Sequence, residues 1–262
     1  MRITSIKKLK HNIYELTIDD QEKFKLVEDY LLEYHLLKTK DITDEEYQLL
    51  KTLANYSKIY AKTLNYLSYK MRTEGEIIQY LEENECAKPL QVEIINKLKR
   101  LNYINDEHYC NMYIKQQFEL NKKGPRLIAK ELKDKHVDET IIEKALSTIS
   151  KKMIKENIIS VIKYYEKITK QKTLSQLKAK ILRSLTQKGY DYEDILSELN
   201  SYEFKDDNQA DLIKKEFQKV FQKYQKKYQG YELKSRIIRS LMNKGFDYET
   251  ILSQFDSINL ED

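Results

Sequence analysis

The sequence predicts a mainly α protein: tandem three-helix repeats forming an elongated, curved array, preceded by a small N-terminal β-hairpin region. Three observations predict this class. Only 5 Gly and 2 Pro occur in 262 residues. Turns and sheet edges consume both types, so their scarcity favours long helices joined by short loops. Charged residues make up 34% and hydrophobic residues 40%, which suits narrow amphipathic helices better than one thick core. Most informative is an internal duplication. LKAKILRSLTQKGYDYEDILSEL from Leu177 lies without gaps on LKSRIIRSLMNKGFDYETILSQF from Leu233, at an offset of 56 residues, with 14 of 23 positions identical.

Residues 1–50 form the hairpin and helix region. RITSIKKL and NIYELTI carry alternating or β-branched apolar positions around a polar turn at Lys10, His11 and Asn12, a hairpin pattern. FKLVEDYLLEYHLL then reads as strand into helix. The repeats follow at 51–104, 105–150, 151–204 and 205–262. The first is carried by RTEGEIIQYLEENECAKPLQVEIINKL from Arg72, with a short insertion after Asn84, and the second by RLIAKELKDKHVDETIIEKAL from Arg126. In the second copy Ile128, Leu132, Lys135, Asp138, Ile142 and Leu146 fall on Ile181, Leu185, Lys188, Asp191, Ile195 and Leu199 of the third. A period near 50–56 residues marks a solenoid whose units stack on their neighbours. With helices 8–10 Å apart, four units would extend on the order of 80–100 Å.

Each unit has a physical logic. Leu177, Ile181, Leu182 and Leu185 make one helical stripe. Lys188 and Gly189 end it, since a cation suits the negative end of the helix and Gly takes the left-handed conformation without strain. Asp191 opens the next helix as an N-cap, and Tyr192, Ile195, Leu196 and Leu199 supply its apolar face. Gly245 and Asp247 repeat the device; His136 and Asp138 do so with a poorer left-handed residue. A longer helix precedes each pair: Tyr109, Tyr113, Ile114 and Phe118; Ile154, Ile158, Ile162 and Tyr165; Ile213, Phe217, Val220, Phe221, Tyr224 and Tyr228. Gly124–Pro125 starts a helix with Pro in its first turn.

Residues 62–146 resemble the RecX family of RecA regulators. The resemblance rests on Leu64, Tyr66 and Leu67 leading to Arg72–Thr73, then Asn102–Tyr103–Ile104–Asn105–Asp106, Tyr109–Cys110–Tyr113, and Gly124–Pro125–Ile128–Glu131–Leu132–Lys135. Asn102, Cys110 and His136 depart from the usual Gly, Ala and Gly, which alters single caps without disturbing the spacing. The resemblance implies tandem three-helix units, no enzymatic activity, and binding to the RecA–single-stranded DNA filament so as to limit its growth or recombinase activity. A RecA-independent helical-repeat DNA-binding protein is the alternative, with contact to free DNA.

Charge locates the candidate binding residues. Residues 1–150 hold 25 basic and 25 acidic side chains, whereas 151–188 holds 11 basic residues against Glu156 and Glu166. A local basic surplus attracts polyanions. Arg183 and Lys188, and Arg239 and Lys244, lie five residues apart beside the apolar stripe of their helices. Arg126, Lys130, Lys135, Lys180 and Arg236 complete a row suited to phosphates or an acidic protein groove. His108 and Cys110 lack further metal ligands or a positioned base, and Cys110 falls on an apolar stripe. Asp191, Glu193, Asp194, Asp247 and Glu249 sit where capping explains them. Most of the 21 Tyr read as core aromatics. No catalytic residue, metal or cofactor is expected. Two Cys outside any CxxC spacing, and the absence of a signal or membrane-length apolar run, point to the cytoplasm; a monomer is expected.

Overall fold

The computed structural model describes residues 1–9, 12–169, 172–205 and 209–256, with the side chains of 209 and 256 left aside. The expected turn residues Lys10 and His11 lie outside this set; Asn12 follows at φ 56°.

The N-terminal region is a three-stranded antiparallel sheet in the order β1 (Ile3–Lys8), β2 (Ile13–Ile18), β3 (Glu22–Val27). Asp19 and Asp20 join β2 to β3 with positive φ at 47° and 55°, a pair of values that matches the right-handed twist of the strands. The predicted hairpin is thus extended by one strand, and β3 runs directly into helix α1 (Glu28–Glu33), as the strand-into-helix pattern indicated. Leu16, Ile18 and Leu26 face one side and are buried. Helix α2 (Asp44–Ser68) opens on a capping box: Thr43 accepts from the Glu46 N–H, and Glu46 accepts in return from the Thr43 N–H.

Helices α3 (Glu74–Glu83) and α4 (Lys88–Arg100) follow, then α5 (Asp106–Ile114) with a π-helical turn at Lys115–Leu120, α6 (Pro125–Lys133) and α7 (Glu139–Leu146). The last two trios are α8 (Lys151–Ile168), α9 (Leu174–Gln187) and α10 (Tyr192–Ser201), and α11 (Gln209–Tyr224), α12 (Gly230–Asn243) and α13 (Tyr248–Asp256). One expectation needs trimming. Tyr228 lies beyond the end of α11 and receives the Arg236 guanidinium on its ring at 3.9 Å.

The chain divides into two compact units: Met1–Met112 with Leu132–Ile142, and Tyr113–Glu131 with the chain from Glu143 onward. In the first, Leu16, Leu26, Tyr30, Leu50, Leu53, Tyr60, Ile77, Leu81, Ile94 and Leu98 share one core. In the second, the final trio closes on Ile213, Phe217, Ile237, Leu241, Ile251 and Phe255. Ile181, Leu185, Ile195 and Leu199 are equally buried in the trio before it. Each such side chain contributes roughly 1.5–3 kcal/mol of apolar transfer.

The helix stops are as expected. His136, Gly189 and Gly245 have φ of 58°, 84° and 87°. At each stop the next residue donates its N–H back into the helix, Val137 to Leu132 O, Tyr190 to Leu185 O and Phe246 to Leu241 O. That bond satisfies a carbonyl the helix leaves open. Asp138, Asp191 and Asp247 then accept from the N–H groups of Thr140, Glu193 and Thr250.

Candidate partner-binding surface

The residues at these helix stops do more than stop helices. In the first unit, Thr73 caps α3 by accepting from the Glu76 N–H at 3.1 Å, and its hydroxyl donates to Lys135 O at 2.7 Å. The start of α3 is thereby seated on the C-terminal end of α6. Gly75 is needed for the approach, because a Cβ there would lie 2.3 Å from the His136 Cβ.

The second unit holds two further joints of this kind. The Gly124 N–H donates to Lys188 O at 2.7 Å and the Arg126 N–H to Gly189 O at 3.2 Å, seating α6 on the end of α9. A Cβ on Gly189 would meet the Leu127 N at 2.3 Å. Thr173 caps α9 and donates to Lys244 O at 3.0 Å, seating α9 on the end of α12. In all three cases the positive end of one helix meets the negative end of another, so the dipoles attract. Among the described residues α12 has no such seat: Gln229 caps it without a side-chain bond, and a Cβ on Gly230 would meet nothing within 4 Å.

The joints consume a defined part of the predicted basic row. Lys135 Nζ reaches Glu76 Oε1 at 3.0 Å, and Lys244 Nζ reaches Glu216 Oε2 at 2.6 Å. Burial alone favours the neutral form of both Glu76 and Lys135. Their mutual hydrogen bond and attraction, with the Thr73 N–H on Glu76 and Tyr109 beside Lys135, together outweigh it, holding Glu76 below and Lys135 above their ordinary values. Glu216 is held low by Lys219 and Lys244. Lys188 Nζ donates to Asn121 O at 2.9 Å, and Arg126 pairs with Asp191. Lys180 lies 5.0 Å over the Tyr165 ring, and Arg236 pairs with Glu232 at 3.0 Å.

What remains is Lys130, Arg183 and Arg239. Each sits six residues before the left-handed stop of its helix, is exposed, and has no hydrogen-bond or ion-pair partner among the described residues. Arg239 also lines an open groove of 810 Å3 with Lys234, Ile238, Met242 and two exposed tyrosines, Tyr231 and Tyr248. The pattern fades toward the N-terminus: at the same position α3 carries Gln79.

Sequence reasoning named Thr73 without a role and missed Thr173 and Asn157. The threonines carried a signal, since Thr73 and Glu76 have capping-box spacing. Asn157 carried none. It is buried on α8, donates to Phe118 O at 2.9 Å in the π-helical turn and accepts from Lys122 Nζ at 2.8 Å.

The tempting catalytic and metal residues go the other way. Cys110 is fully buried, and burial pushes its thiol up to about 11, which leaves the nucleophilic thiolate scarce. Among the described residues no group of three or more His, Cys, Asp or Glu is arranged to hold a metal ion. No described helix is long and apolar enough to cross a membrane.

Tandem three-helix units with exposed cations recurring at one helical position define a helical-repeat protein. Comparison with known proteins narrows the class. Family models for the first, second and third three-helix domains of RecX match residues 60–98, 105–146 and 206–253. "Regulatory protein RecX" of Streptococcus agalactiae (strain A909) is 37% identical over 257 residues, covering 97% of this chain and 98% of its own. The protein of that name in Lactococcus lactis subsp. lactis is 34% identical, with 96% of each chain covered. A crystal structure of regulatory protein RecX shares the fold, with a TM-score of 0.60, 24% identity, and coverage of 75% of this chain and 98% of that one. RecX from Lactobacillus salivarius superposes with a TM-score of 0.52 at 32% identity, over 55% of this chain and 94% of its own. The chain belongs to the RecX family of regulatory proteins.

Proposed function

We propose that this chain is a non-catalytic, cytoplasmic, monomeric regulator of RecA that binds the RecA–single-stranded DNA filament and inhibits its growth or strand exchange. Family membership supports the target. The observation that carries the binding mode is the recurrence of Lys130, Arg183 and Arg239 at one helical position in three successive repeats, exposed and unpaired among the described residues. Such cations face filament phosphates or an acidic groove, each contact weak and the set additive through multivalency. Arg126, Lys180 and Arg236 flank them; Lys135, Lys188 and Lys244 hold the helices that present them.

The test is RecA ATPase and strand exchange with and without the protein. Inhibition by the wild type, weakened at least ~10-fold in half-effective concentration when Lys130, Arg183 and Arg239 are all changed to Ala, is expected. No effect of the wild type at several-fold excess over RecA removes the proposal. A second reading, DNA binding without RecA, draws on the exposed Tyr231 and Tyr248 beside Arg239, since aromatics with cations suit single-stranded nucleic acid. It predicts tight, salt-steep binding to naked DNA.

A further inference from the structure

The N-terminal unit contains a second surface that the repeat cations do not involve. Between the outer face of the sheet and α2 runs an open, mostly apolar groove of 540 Å3. Ile13, Val27, Ala61 and Leu64 form its apolar lining. Lys25, Lys58 and Lys62 stand along it, all exposed and all without a hydrogen-bond or ion-pair partner among the described residues. No carboxylate lines it among the described residues. The acidic side chains nearest Lys25 are occupied elsewhere: Glu15, opposite Lys25 in the β2–β3 register, pairs with Lys23 at 3.2 Å, Glu22 accepts from the Tyr47 hydroxyl, and Glu28 pairs with Lys8 and the Tyr14 hydroxyl.

We propose that this groove docks an acidic peptide segment of a partner protein, one that inserts an aliphatic or aromatic anchor between β3 and α2 and places its carboxylates against Lys25, Lys58 and Lys62. Three features select this occupant. Three cations around an apolar floor, with no acid among the lining residues, complement a segment that is both acidic and apolar. Among the described residues no aromatic side chain lines the groove, so unstacked bases find no platform on them. Strand addition is also blocked at Val27, whose N–H already donates to the Ser57 hydroxyl at 3.1 Å, so recognition falls to side chains. The site is independent of the filament reading.

The experiment uses the full chain and a fluorescent peptide of about 15 residues, rich in Asp and Glu with Leu and Phe anchors. Binding is followed by polarisation, and zero-length carbodiimide coupling then joins peptide carboxylates to the lysines they touch. The expected result is saturable binding, cross-links to Lys25, Lys58 and Lys62, and a loss of at least ~10-fold when the three lysines become Glu. These are surface substitutions, and an unchanged circular dichroism melt shows that the variant is folded. A peptide with its anchors replaced by Ser loses binding to a similar extent. Equal binding of the Ser peptide, cross-links confined to other lysines, no saturation, or displacement by a single-stranded oligonucleotide that protects the same lysines from coupling would each overturn the proposal.

Discussion

Two sets of cations on the same helices have opposite fates. Lys135, Lys188 and Lys244 lie one or two residues past the last residue of α6, α9 and α12; Lys130, Arg183 and Arg239 lie five residues earlier, within those helices. In the linear sequence the two sets are equivalent, each basic, each beside an apolar stripe. In the fold the first set is half-buried and bonded, to Glu76, to Asn121 O and to Glu216, while the second is exposed and unpaired among the described residues. A shift of five residues carries a side chain from the seat of a helix to its open flank. A basic residue at a helix end is therefore evidence for assembly first and for ligand binding second.

Breaking a seat should give the largest effect. Gly189→Ala forces an L side chain to φ 84° and drives its Cβ into the Leu127 backbone, so a loss of about 2–3 kcal/mol is expected in urea unfolding. Gly230→Ala, at φ 52° with open space around it, should cost about 1 kcal/mol. Equal losses would show that the seat contributes nothing beyond backbone strain.

Removing the seat's polar partners comes next. Thr173→Val deletes both the cap of α9 and the bond to Lys244 O, and should lower stability by about 1 kcal/mol. Lys135→Met leaves Glu76 without its cation and should cost about as much, whereas Lys130→Met should stay within about 0.5 kcal/mol. Matching melts for the two lysine variants would erase the distinction between the sets. Binding should reverse the order. Arg183→Ala with Arg239→Ala should weaken association with the RecA–DNA filament and flatten its salt dependence while leaving the melt unchanged; a shifted melt with unaltered binding would assign these residues to structure.

Acid should reveal the seats more gently. Glu76 and Glu216 are depressed below their ordinary value of 4.5, so the native state binds their protons more weakly than the unfolded chain does. Their stabilisation is complete above about pH 4.5 and is lost as pH falls through the native values. Burial raises Asp106 above its ordinary 3.8, so its protonation favours the native state and opposes the trend. Lys135→Met should flatten the decline for Glu76; an unchanged acid limb would show that the pair is not coupled to folding.

Much of this architecture was legible before any coordinates. The duplication at Leu177 and Leu233 set the repeat, apolar spacing set the stripes now buried at Ile181, Leu185, Ile237 and Leu241, and Gly189, Gly245, Asp191 and Asp247 marked the stops and starts. Cys110 read as core and is core. All of these depend on interactions within a few residues, which linear spacing reports directly. The candidate site was only half legible, because a lysine's usefulness to a partner depends on what already holds it.

The sequence by itself therefore determined the helices, the stops at His136, Gly189 and Gly245, the repeat and the local basic surplus, since each follows from backbone conformation, side-chain periodicity and composition. Only the tertiary structure decided that Thr73 meets Lys135, Gly124 meets Lys188 and Thr173 meets Lys244, across 62 to 71 residues of chain. It also decided which cations are left over. Contacts between distant residues depend on how helices seat against one another, and the spacing within any one helix carries no record of that.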